Sequence, residues 1–137
     1  ERKKMEEFVE ENGINSIFTG FMNQDTISKY YSIADVNIVI SDYDPSPKAM
    51  NEAMNFKLPI ITTNVVGTAF DLVEEGVNGF IIDVGDTIQL SKHISMLLKN
   101  RELIKRMGKN SLKKVSQWNY KSDVVGIIEA FKSVTPQ

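Results

Sequence analysis

Two short runs rich in Val and Ile constrain this chain more than anything else in it. Residues 36–40 (VNIVI) and 59–63 (PIITT) carry apolar residues in succession rather than in alternation. That is the signature of strands buried on both faces, as in a parallel sheet. Between them runs SDYDPSPKAMNEAMNFKL, a loop broken by prolines and then a short helical pattern. In open α/β sheets ligands bind where the carboxyl end of a strand meets the amino end of the next helix. Asp42, Asp44, Ser46, Lys48 and, one to two turns into the helix, Glu52 fall at that junction.

The rest of the chain supplies a scaffold around this unit. Residues 2–11 predict a charged helix with Met5, Phe8 and Val9 on its buried face, stopped by Asn12-Gly13. Residues 16–20 (SIFTG) predict a strand. Asn23 or Asp25 then caps a helix carrying Ile27, Tyr30, Tyr31 and Ala34 at helical spacing. In the helix after the central loop, Ser46 is a good N-cap and Pro47 suits the first helical position. Its buried side is Ala49, Met50, Ala53 and Met54, which turns Lys48, Asn51, Glu52 and Asn55 away. Residues 69–75 predict a short helix ended by Gly76, and 80–83 a strand. Asp86 and Gln89 form a capping box for a helix that buries Leu90, Ile94, Leu97 and Leu98. Helices follow at 101–108, 110–116 and 122–133, the last with Val124, Val125, Ile128 and Phe131 inward.

Several motifs of this chain resemble, in order, those of one family. Asp44 and Glu52 are separated by seven residues, and Ala53-Met54 and Leu58-Pro59-Ile60-Ile61 follow. This is similar to the acid-x7-Glu-Ala-Met…Pro-Val-Ile pattern of the retaining nucleotide-sugar glycosyltransferases of the two-domain GT-B type. Ala34-Asp35-Val36, the segment 67–79 (GTAFDLVEEGVNG), Gly85-Asp86, Arg106-Met107-Gly108 and the Trp118/Tyr120 pair each resemble a further stretch of that family. Two departures stand out. The family usually has Glu at the position of Asp44, and a Gly-x-Gly turn where this chain has Pro45-Ser46-Pro47. Prolines lack the amide donors such a turn supplies.

The resemblance implies a Rossmann-like α/β fold, a parallel sheet flanked by helices, with residues 1–137 forming one donor-binding domain that lacks its N-terminal part. Residues 16–20, 36–40, 59–63 and 80–83 would be the third to sixth strands of a 3-2-1-4-5-6 order. Without the first two, strand 36–40 is expected at an open edge, inviting self-association. The implied activity is transfer of a sugar from a nucleoside diphosphate sugar to an acceptor hydroxyl with retention, in polysaccharide, glycolipid or glycoprotein synthesis. Glu52 would hold the ribose, Asp44 would contact the transferred sugar as the catalytic acid of the site, and Ser46 and Lys48 would serve the diphosphate. The family works without an obligatory metal or other cofactor, the nucleotide sugar being the donor substrate. Its usual Arg and Lys for the phosphates, and its N-terminal acceptor domain for the glycan, lipid or protein acceptor, have no counterpart in these residues. These 137 residues alone are expected to be inactive.

The bare residues allow other roles. Asp44 can be a turn former, Glu52 a solvated helix residue, and Lys48 the partner of Glu52 one turn on. VNIVISDYDPSP also looks like the phosphoacceptor strand of a receiver domain, with Asp42 as acceptor and Thr62 or Thr63 as switch hydroxyl. That fold needs an acidic pair after its first strand and Lys-Pro after its last, and neither is present. A nucleotide-sugar epimerase of the same fold is a further alternative. His93, the single histidine, reads as a surface residue, and Asp83 and Asp86 as turn formers. A formal charge of −2 argues against nucleic acid or an anionic membrane as main partner. No cysteine is present for disulfides or thiolate metal sites. No apolar run nears the ~18 residues of a membrane span. The expected location is cytoplasmic, with the full-length enzyme peripheral at the membrane. A chain that opens on Glu1 inside a helical pattern is expected to belong to a longer protein.

Overall fold

The computed structural model describes residues 1–134. It divides into two compact units, Glu1–Tyr30 and the chain from Tyr31 onward. The first holds α1 (Arg2–Glu11) and most of α2 (Gln24–Ile33). Arg2 ties its own unit together: it donates to Glu6 Oε1 at 2.7 Å and to the Phe18 carbonyl at 3.2 Å, with the guanidinium 6.0 Å from the Phe18 ring centre. Asn23 is the cap of α2, its Oδ1 accepting from the Thr26 amide at 2.9 Å. Two expectations fail here. No residue of α1 is buried, with Met5 and Phe8 both 58% exposed. Residues 16–20 form no strand, because an extended run with no paired neighbour has no ladder to satisfy its amides and carbonyls.

The second unit contains a three-stranded parallel sheet in the order β1 (Asn37–Val39), β2 (Ile60–Thr63), β3 (Gly79–Ile82). Asn37 lies opposite Ile60, and Ile60 opposite Gly79. All of β2 is buried, the apolar Ile60 and Ile61 and the polar Thr62 and Thr63 alike. β1 lies at an edge, with Ile38 and Ile40 partly in solvent. The order agrees with the expected succession of the last three strands. β1 and β2 are shorter than the runs 36–40 and 59–63, and β3 lies one residue earlier than 80–83, since pairing rather than composition sets the ends.

α3 (Lys48–Asn55) crosses from β1 to β2 and buries Met50, Ala53 and Met54 completely. It begins one residue later than expected: Pro47 occupies the N-cap position, and no side chain caps the helix. Beyond it Lys57 turns the chain at φ 60°, a left-handed conformation rare for a side chain larger than Asn. α4 (Ala69–Leu72) is a single turn, shorter than expected, because Val73 is already extended. α5 (Thr87–Leu98) starts with Asp86 Oδ1 accepting from the Gln89 amide at 2.9 Å, half of the expected capping box. Leu97 of α5 is fully buried, whereas Leu98 is 57% exposed.

α6 (Arg101–Val115) runs as one helix where two were expected, and Gly108 explains its course. A Cβ there would lie 1.9 Å from the Lys57 carbonyl oxygen, so glycine is what lets α6 approach the turn after α3. Ile61, Phe80, Ile82, Leu97, Ile104 and Met107 form a core between sheet and helices. α7 (Tyr120–Val134) buries nothing, and its expected inward residues Val124, Val125, Ile128 and Phe131 are 47–68% exposed. His93 is half-buried rather than on the surface, its ring stacked on Phe80 at 4.0 Å.

Candidate functional site

The loops that leave β1 and β2 are fastened to each other at their bases. Asp44 forms a parallel bridge with Val66, and the Gly67 amide donates to the Asp44 carbonyl at 2.9 Å. Gly67 has no alternative: a Cβ there would stand 2.2 Å from the Pro45 carbonyl oxygen. Thr62 and Thr63 reinforce the join from β2. Their hydroxyls donate to the carbonyls of Val39 and Ser41 at 3.1 and 2.6 Å. Both threonine hydroxyls are thus satisfied by backbone oxygens.

Asp44 Oδ1 accepts from the Ser46 amide at 3.1 Å, so the turn-forming role is realised with one carboxylate oxygen. The chain is extended at Pro47 (φ −68°, ψ 114°) and enters α3 with its first-turn amides uncapped by any side chain. Ser46 is exposed, and its hydroxyl is not used as the expected N-cap. Lys48, the first residue of α3, is exposed and belongs to no ion pair among the described residues. The pairing of Lys48 with Glu52 does not form.

Glu52 is half-buried, not the solvated helix residue that composition alone allows. Its Oε2 accepts from the Tyr31 hydroxyl at 3.3 Å. Tyr31 is 8% exposed, and its ring packs at 5.6 Å on Phe56, the residue that closes α3. Burial of the phenol, with the Glu52 carboxylate beside it, raises the Tyr31 pKa above the ordinary tyrosine value. The hydroxyl is thus a permanent donor at physiological pH. Tyr31 was legible in the sequence only as a core position. The available signal was that a tyrosine at such a position needs a partner for its hydroxyl. In the same stretches, Asn51 Oδ1 and Thr68 Oγ1 are buried without a protein partner.

A separate pocket of about 200 Å³ lies across the carboxyl ends of the strands, lined by Ile40, Asp42, Thr63, Ile82, Asp83 and Leu90 among others. Asp44, Ser46, Lys48 and Glu52 do not line it. Asp83 Oδ1 accepts from the Asn64 side chain at 2.6 Å, and the Asp86 amide returns to the Asp83 carbonyl at 3.1 Å, a turn as expected. Among the described residues no helix is long and apolar enough to cross a membrane.

A parallel sheet with crossover helices, an acid-bearing loop at a strand's carboxyl end and an uncapped helix start define an open α/β protein of the Rossmann-like kind. The particular family follows from comparison: the chain belongs to the glycosyl transferases group 1 family, whose model matches residues 1–114. Spore coat protein SA of Bacillus subtilis (strain 168) is 36% identical over 96 residues, covering 69% of this chain and 25% of that protein. Sulfoquinovosyl transferase SQD2 of Arabidopsis thaliana is 26% identical over 113 residues, covering 80% of this chain and 22% of that protein. Sucrose-phosphate synthase from Thermosynechococcus elongatus superposes with a TM-score of 0.81 at 25% identity, over 97% of this chain and 34% of the other. Anabaena Alr3699/HepE in complex with UDP gives 0.83 at 24% identity, over 96% and 36%. The chain thus spans about a quarter of the curated relatives and about a third of the solved chains.

Proposed function

We propose that this chain is the donor-binding part of a glycosyltransferase that moves a sugar from a nucleoside diphosphate sugar to an acceptor hydroxyl with retention at the anomeric carbon. The observation that carries the proposal is the setting of Glu52. It is a half-buried carboxylate on the side of α3 away from Met50 and Met54, one turn beyond an uncapped helix start. A carboxylate can accept both hydroxyls of a ribose, in charge-assisted bonds worth about 1.5–3 kcal/mol each. Support comes from proteins of the same fold: Anabaena Alr3699/HepE was crystallised with UDP and with UDP-glucose.

In this proposal the α3 amides, Ser46 and Lys48 face the diphosphate. The positive end of the helix and the Lys48 ammonium take up charge as the bond from the anomeric carbon to the diphosphate breaks. Asp44 keeps one oxygen on the Ser46 amide and directs the other part of its carboxylate to the transferred sugar. The reaction uses no metal or other cofactor, and the acceptor is a glycan, lipid or protein bound by another part of the longer protein. That protein works in the cytoplasm or at the face of a membrane. A receiver or epimerase role has no observation in its favour.

Calorimetric titration tests the ribose contact. Glu52→Ala should weaken binding of the preferred nucleoside diphosphate about 10- to 100-fold, or ~1.4–2.8 kcal/mol. Unchanged affinity would remove Glu52 from the site. For Asp44, the informative change is Asp44→Asn, which keeps an oxygen for the Ser46 amide and removes only the charge. In the longer protein it should lower turnover far more than nucleoside diphosphate affinity, and equal losses would leave Asp44 a turn former only.

A further inference from the structure

We propose that Tyr31 is the positioning residue for Glu52, fixing the carboxylate in the orientation that a ribose diol requires; this deepens the function proposed above and rests on it. Tyr31 reaches α3 at two points one turn apart. Its hydroxyl donates to Glu52 Oε2 at 3.3 Å, and its ring packs on Phe56 at 5.6 Å with a tilt of 35°. Residues four apart share a helix face, so a single aromatic ring spans the stretch of α3 on which the carboxylate stands.

A glutamate on a helix flank samples several rotamers, and binding a diol through both carboxylate oxygens must select one of them. A donor already in place makes that selection before the ligand arrives, which is how preorganisation contributes affinity. The geometry suits the task. At 8% exposure the Tyr31 ring has little room to swing, so its hydroxyl is a fixed point rather than a mobile one. At 3.3 Å the bond is long for a hydroxyl on a carboxylate. It orients Glu52 without using up its capacity, since a carboxylate offers about four acceptor positions. The raised pKa keeps the phenol protonated, so it never presents an oxyanion to the carboxylate.

Tyr31→Phe separates the two roles, because it keeps the ring on Phe56 and removes only the donor. The readout is selectivity for the ribose: the ratio of calorimetric affinities for UDP, GDP or ADP over the matching 2′,3′-dideoxy nucleotide. The expected result is a ratio about three- to tenfold lower in Tyr31→Phe, with affinity for the dideoxy nucleotide and the thermal midpoint unchanged. A ratio unchanged in Tyr31→Phe but abolished in Glu52→Ala would overturn the role of Tyr31 and leave the proposed function standing. A ratio unchanged in both variants, or no ribose preference in the parent chain, would overturn both. Equal losses for both nucleotides in Tyr31→Phe would make Tyr31 merely structural. Should Tyr31→Phe not fold, the parent chain labelled with ¹³C at tyrosine Cζ decides the matter. The Tyr31 signal should move with the ribonucleotide and not with the dideoxy form, and equal movement with both would overturn the proposal.

Discussion

Helices α3 and α7 carry the same kind of apolar spacing and end in opposite surroundings. Met50, Ala53 and Met54 of α3 are wholly buried, while Val124, Ile127, Ile128 and Phe131 of α7 are 47–68% exposed. Covalent topology makes the difference. α3 connects two adjacent parallel strands, and such a crossover must lie back on the sheet. α7 follows α6 and joins no two strands of the described sheet. Periodicity states that a helix has an apolar face; only connectivity states what the face meets.

Truncation should sharpen that contrast most. In denaturant unfolding, Met54→Ala should cost about 2–5 kcal/mol, the usual range for emptying a buried site. Phe131→Ala, a larger deletion by volume, should stay within about 0.5 kcal/mol because its side chain is 68% exposed. Comparable losses at both positions would mean that α7 is packed in solution. A loss smaller than at Met54 is expected at Gly108, opposite in sign to the usual effect of Gly→Ala in a helix. In an ordinary helix interior Ala is favoured over Gly by about 1 kcal/mol. Here the new Cβ would meet the Lys57 carbonyl at 1.9 Å, so Gly108→Ala should destabilise by about 1–3 kcal/mol. A stabilised variant would show that α6 does not approach the end of α3 so closely.

The same contrast explains what was legible in the sequence. β1, β2 and β3 were, each by its consecutive Val or Ile residues, although edge strand β1 has no fully buried residue and β2 ends on the buried threonines Thr62 and Thr63. The loop between β1 and α3 was legible by its acids and prolines. Its details were not: Asp44 accepts from the Ser46 amide, and that local bond draws Ser46 into a turn instead of a cap. Residues 16–20 have strand composition without a strand, since composition cannot supply a neighbour to pair with. The burial of Glu52 depends on Tyr31, twenty-one residues away in sequence, and no local pattern encodes that distance.

We place ligand chemistry on the loop and first turns of α3, not in the pocket across the carboxyl ends of the strands or on the exposed face of α7. Amide chemical-shift mapping during titration of the ¹⁵N-labelled chain with UDP, GDP and ADP tests it most directly. The nucleotide that binds should move the signals of Ser46, Lys48, Ala49 and Glu52, while those of α5 and α7 stay in place. Shifts concentrated around Asp83, Asp86 and His93, or along residues 120–134, with α3 unmoved, would contradict it.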